Sequence, residues 1–330
     1  MRECRREQGQ SMSCSGRGKS QFMRTVVNGS LVALIAGTAF VAIPTTAQTT
    51  SPACSVTSSR AATPEAGVIE IAAATPGSLP LASPVATPVA GNDALTDDIT
   101  RAAEQLAACL SANDADAVVQ LASERYLGQL FGSSVPLNAD DFIAISESIS
   151  ATPVRIISVE DVTRGEHDRV TATVTQVVGH QLIKATWTFR QGSGSVPWML
   201  DMEQRLPATP PSRADEIEVE IRSRSFKVSP AKVESPDVVL RGDNTDSIDH
   251  EMLVLKFDDG FTTEDLLRAY GPDLPPQVTY IGEIPVRAGQ QQDLVLVDLE
   301  PGQYTIVCLF PDTQGVPHLA QGMAATFRVE

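Results

Sequence analysis

Prolines divide this chain before any other feature does. They stand at 52, 64, 76, 80, 84 and 88, and a pair follows at Pro210 and Pro211. A proline has no backbone N–H and a fixed φ, so its repetition breaks helices and strand ladders alike. Residues 48–93, otherwise rich in Ala, Thr and Ser, are therefore expected to form a disordered, partly extended tether. Residues 208–215 form a second, stiffer linker. What lies between and beyond these breaks must fold in pieces, which makes the chain multidomain.

Residues 1–47 have the pattern of an export signal. Arg17, Lys19 and Arg24 precede the apolar run Leu31 to Ile43, and small residues follow at Thr45, Thr46 and Ala47. Thirteen apolar positions are short for a bilayer span, which needs roughly 20, but they suit a signal segment. Translation from Met12 or Met23 and retention as an uncleaved N-terminal anchor both remain open. The expected location is outside the cytoplasm: extracellular, periplasmic or on the cell surface.

Residues 94–207 alternate in two different periods. Asp93 or Thr96 caps a helix over 97–111 with Ile99, Ala102, Leu106 and Leu110 on one side. Asn113–Asp114 caps a second, and Asp140–Asp141 opens a third over 142–148. Strand patterns then run over 154–162, 170–178, 182–189 and 198–205, separated by polar turns. His167 falls in one such turn and His180 at a hairpin tip. Tyr126, Trp187 and Trp198 are expected to fill a core. Residues 216–330 change character again, to short strands with turns between them, which argues for a β-sandwich. Thr262 to Asp265 forms a capping box for one short helix between strands.

The formal net charge is -16 over 330 residues. The first 47 residues carry six Lys/Arg and two Asp/Glu, so the remainder is four units more negative still. Such a body repels phosphate backbones, and nucleic acid is excluded as a partner. Of the five cysteines, Cys4 and Cys14 belong to the leader. Cys109 lies on the apolar face of the first helix and is expected to be a buried, inert thiol. A Cys54–Cys109 disulfide is compatible with export but is not readable from spacing. Cys308 is then left unpaired.

That unpaired thiol opens the segment Cys308 to Met323, which also holds His318. A second imidazole, His250, follows the turn Asn244 to Asp249. The chain has only four His, and half of them fall at these two places. Two imidazoles, a thiolate and a weak thioether suit a single soft metal ion, above all copper in a trigonal site with a long axial bond. The histidines are too few for a second copper centre, and no His-x-His pair exists.

On these residues the segment 216–330 resembles the cupredoxins, the family of plastocyanin and azurin. His250 at a strand start, the run Leu299 to Cys308, Pro317–His318 and the His-x4-Met spacing to Met323 carry the likeness. The nine residues between Cys308 and His318 are at the long end for that family, and Pro311 to Pro317 has the turn chemistry to bulge outward. The resemblance implies a Greek-key sandwich, one type 1 copper on His250, Cys308, His318 and Met323, and one-electron transfer with a redox partner protein rather than catalysis. A metal-free sandwich acting as an extracellular binding module is the alternative. Residues 94–207, helices first and then a curled meander, resemble the NTF2-like (SnoaL-like) α+β cone through the turn Leu110 to Ala115 and the late Trp-containing strand. That resemblance implies docking, ligand binding or homodimerisation through the open sheet face. No inward acid/base pair could be named there.

Overall fold

A computed structural model describes Cys54 and residues 92–194, 196–269, 271 and 273–330. The expected leader and, apart from Cys54 and residues 92–93, the Pro-rich tether lie outside these residues. Among the described residues no helix is long and apolar enough to cross a membrane.

The chain enters through α1 (Asn92–Ser111), α2 (Ala115–Leu121), α3 (Glu124–Leu130) and α4 (Ala139–Ser146). α1 begins earlier than the cap residues predict. Ile99, Ala103, Leu106 and Cys109 are spaced for one face and are all buried. α2 starts as expected, with the Asp114 carboxylate accepting from Ala117 N at 3.0 Å. α3 was not foreseen; Ser123 caps it by accepting from Tyr126 N, a signal that its short length hides. α4 is capped by Asn138, two residues ahead of the expected start, with Asn138 Oδ1 accepting from Asp141 N at 2.9 Å.

Four antiparallel strands follow: β1 (Val154–Arg164), β2 (Val170–Val178), β3 (Gln181–Gln191) and β4 (Trp198–Leu206). Their inward positions and the helices bury Trp187, Phe189, Leu200 and Leu127. Tyr126 and Trp187 meet at 6.4 Å between ring centroids, so the expected aromatic core is present. His167 is exposed, as its polar turn implies. Cys109 is buried but is not a free thiol: it is bonded to Cys54, which corrects the inert-thiol expectation and pins Cys54 of the tether to α1.

The remainder is the sandwich. It consists of β5 (Asp215–Arg222), β6 (Ser225–Ser229), β7 (Lys232–Val233), β8 (Val238–Asn244), β9 (His250–Phe257), α5 (Thr263–Arg268), β10 (Val278–Val286), β11 (Gln291–Leu296), β12 (Gly302–Val307) and β13 (Ala324–Val329). The capping box at Thr262 and Asp265 starts α5 as predicted. β10 carries a bulge between Tyr280 and Gly282, past which its pairing to β9 resumes. One sheet has the order β10-β9-β12-β13-β7. Ile217, Leu240, Met252, Val254, Ile306 and Phe327 fill the space between it and the facing strands, and alternation along each strand delivers them there.

The facing strands do not stop at the sandwich. The second sheet runs β1-β2-β3-β11-β8-β5-β6, with β4 on β3, so it crosses the Pro210–Pro211 break. The β2–β3 hairpin tip makes the seam. His180 N donates to Ile281 O at 2.9 Å and Val297 N donates to His180 O at 2.8 Å. Gln181 Nε2 donates to Glu283 O, and Glu283 N donates to Gln181 Oε1, at 2.9 and 3.2 Å. A side-chain amide thus stands in for a strand's backbone. Gly282 makes this approach feasible, since a Cβ there would lie 2.9 Å from Gln181 Cβ. Val177, Val239, Val295 and Val297 pack along the seam.

Candidate metal centre

Strand direction alone brings the four soft donors to one end of the sandwich. β9 is antiparallel to β12, and β12 to β13. The start of β9, the end of β12 and the start of β13 therefore share an edge. His250 is the first residue of β9, Cys308 follows the last residue of β12, and Met323 precedes the first of β13. His318 opens a short 3₁₀ turn over His318–Gln321.

The side chains converge. The Nδ1 atoms of His250 and His318 stand 3.2 Å apart. Cys308 Sγ lies 3.8 Å from the first and 3.4 Å from the second. All three ligating atoms fall within 4.8 Å of one another. His250, Cys308 and Met323 are each 0% exposed and His318 is 2% exposed. Met323 packs in the same buried cluster as Cys308.

Neighbouring groups hold this arrangement. Asp246 Oδ2 lies 3.2 Å from His250 Nε2, which places the ring proton on Nε2 and leaves the Nδ1 lone pair facing the thiol. Asp246 is itself fixed by Ser247 N and Arg224 N. Asn244 staples the loop: its Nδ2 donates to Ile248 O and Val286 O, and its Oδ1 accepts from Asp246 N. The sequence suggests Asn244 or Ser247 as a tether for this loop; Asn244 acts as one through its side chain, and the role of Asp246 at the His250 ring was not expected. Glu251, buried, accepts from Leu309 N at 2.7 Å and so ties the residue after His250 to the residue after Cys308.

The long loop between Cys308 and His318 closes on itself. Asp312 Oδ1 accepts from Gln314 N and Val316 N, and Asp312 N donates to Val316 O. Pro311 and Pro317 then pair as an isolated bridge. Leu319 N donates to Cys308 O at 2.7 Å and Met323 N to His318 O at 3.1 Å. Gly322, at φ +90°, turns the chain into Met323 in a conformation that other residues adopt only with strain.

Electrostatics favour a cation here. Burial lowers the pKa of both His250 and His318, opposed at His250 by Asp246, so both rings are neutral and able to ligate. Burial, with the Glu251 charge second, pushes the Cys308 thiol up to about 12. A buried thiol becomes a thiolate only with a compensating positive charge beside it, and a bound metal supplies one. His318 Nε2 has no partner among the described residues, so hydrogen bonding within the chain does not account for both rings. Two imidazole nitrogens, one thiolate sulfur and a thioether fit copper in a three-plus-one site. They suit zinc less well, because it takes four strong donors in a tetrahedron.

No protein-family model and no curated protein matches the chain. Among solved structures it is similar to a dithionite-reduced auracyanin from the photosynthetic bacterium Roseiflexus castenholzii, at 21% identity and a TM-score of 0.26, over 36% of this chain and 98% of that one. It is also similar to auracyanin A, a blue copper protein of Chloroflexus aurantiacus, at 16% identity, a TM-score of 0.26, and 36% and 99% coverage. The multicopper oxidase McoA of Aquifex aeolicus matches at 12% identity, a TM-score of 0.24, and 54% and 53% coverage. At these identities the site's chemistry stands on this chain's own residues.

Proposed function

We propose that the chain holds one type 1 copper on His250, Cys308, His318 and Met323 and carries single electrons. The observation that supports this most is the meeting of two neutral Nδ1 atoms and a free thiol within 4.8 Å in a buried pocket. Bound copper would supply a one-electron couple. The protein's own contribution is rigidity. His250 sits on a paired strand, His318 and Met323 on a loop stapled by backbone bonds, and Cys308 between β12 and that loop. Donors held this way shift little between oxidation states, which keeps reorganisation small. Met323 would add a weak thioether donor that tunes the potential of a bound copper.

The same reading makes this an electron carrier rather than a catalyst, working outside the cytoplasm with a partner protein. The acidic body favours a basic partner surface. Residues 94–207 serve as an NTF2-like docking or assembly unit in this proposal. Loading the purified chain with Cu(II) should give intense visible absorption and one copper per chain by elemental analysis. Cys308→Ser should abolish the colour while leaving the fold's circular dichroism unchanged. A colourless, copper-free chain after loading would leave the metal-free binding module standing instead.

A further inference from the structure

A cavity of about 1160 Å³ lies away from the four soft donors, between the helices and meander on one side and the flank of the sandwich on the other. α2 to α4 give it an apolar wall that includes Val118, Leu130, Phe131 and Phe142. Its polar end is made from two regions of the chain. β4 contributes Glu203, and β10 contributes Glu283.

The two carboxyls are placed differently. Glu203 Oε2 accepts from Trp187 Nε1 at 3.1 Å and from Gln176 Nε2 at 3.3 Å. Arg205, also on the wall, stands 3.7 Å from its Oε1. Glu203 is therefore met by the protein. Glu283 is 3% exposed, and its Oε2 is buried with no hydrogen-bond partner among the described residues. A buried carboxyl oxygen without a donor is costly, and a folded chain keeps one only where something else supplies the donor. The backbone of Glu283 is locked by Gln181 from both sides, so the side chain cannot be carried to solvent by a small strand movement.

We propose that this cavity binds one amphipathic organic molecule, its hydrocarbon or aromatic body against Leu130, Phe131 and Phe142 and its hydroxyl head donating to Glu283. The state of Glu283 selects the head. Burial, with the neighbouring Glu251 second, holds its carboxyl well above the ordinary carboxylate range, so it is not a fixed anion and an ammonium would find no charge to pair with there. A neutral hydroxyl answers the unmet oxygen without bringing a charge into the cavity. The volume is in the range of small-molecule sites, and an apolar body with a few convergent polar groups is their usual composition. The site does not rest on the copper reading, because His250, Cys308, His318 and Met323 are not among the residues that line it.

The test uses the full chain and three probes: para-hexylphenol, its methyl ether and para-hexylbenzylamine. Titration is followed by calorimetry and by the fluorescence of Trp187, which is bonded to Glu203. The phenol should bind once per chain, and the ether, lacking the donor, should bind on the order of tenfold more weakly. Glu283→Met should erase that difference while leaving the unfolding midpoint unchanged or higher. Cys308→Ser should leave phenol binding as it is. If Glu283→Met does not fold, nuclear Overhauser contacts from the probe's hexyl chain to Phe131 and Phe142 in the unmodified chain decide the matter. Equal affinity for phenol and ether, tighter binding of the amine, or an absence of those contacts would overturn the proposal.

Discussion

The two buried polar clusters of this chain are built in opposite ways. His250, Cys308 and His318 stand within 4.8 Å of one another at the end of a single sheet. Glu203 and Glu283 reach a common cavity from strands on either side of the Pro210–Pro211 break. The first cluster needs only that three neighbouring strands be antiparallel. The second needs two regions to dock in one register. A site assembled within one sheet inherits the sheet's precision, whereas a site assembled across a seam is only as well placed as the seam.

That contrast can be broken from the helical side first. Replacing Cys54 and Cys109 together by Ser removes the covalent tie to α1 and should cost about 2–4 kcal/mol of stability. Calorimetry should show the helix and meander region melting earlier, with the visible absorption at Cys308 persisting. Asp246→Ala attacks the other cluster alone. It frees the His250 ring, and copper affinity measured by competitive chelation should fall about 10- to 100-fold with no change in melting of the helical region. Gln181→Ala tests the seam itself: both bonds to the Glu283 backbone vanish, and denaturant unfolding should report a loss of about 1–3 kcal/mol.

The smallest effect is one of pH. Burial raises the pKa of Glu203 above 4.5, against the pull of Arg205 and Trp187. A carboxyl raised on folding lends stability that is whole below its unfolded value and is lost as pH climbs through its folded value. The melting midpoint should therefore decline as pH rises above 4.5, and Glu203→Gln should flatten that decline. An unchanged slope would mean that another group controls it.

How much of this was legible follows the same division. His250, Cys308, His318 and Met323 are rare residue types in this chain; three of them sit where a strand begins or ends and His318 opens the turn between two of these, so their grouping at one end was readable. The four meander strands were equally readable, because their period is unbroken. Asp246 and Glu251 were not: acidic residues are common here, and nothing in a one-dimensional pattern separates a surface carboxylate from one that orients a ring or caps a loop amide. The disulfide was undecidable because the spacing of Cys54 and Cys109 does not encode whether they approach in space. The helix over Glu124–Leu130 is too short for periodicity to declare it. The shared sheet and its cavity were invisible for a deeper reason. Prolines 210 and 211 mark a true break in local structure, but hydrogen bonding between distant strands is free to cross it.

The valine-lined seam has a practical consequence for anyone wishing to work with the copper-type sandwich by itself. A fragment cut before Asp215 would leave Val239, Val295 and Val297 without the Val177 side of their cluster, and it would strip β11 of the hairpin tip that occupies its outer edge. An open strand bordered by bare valines is a template for self-association. Such a fragment would clump unless those valines were exchanged for charged residues. The helical half is thus, in effect, a built-in chaperone for its neighbour.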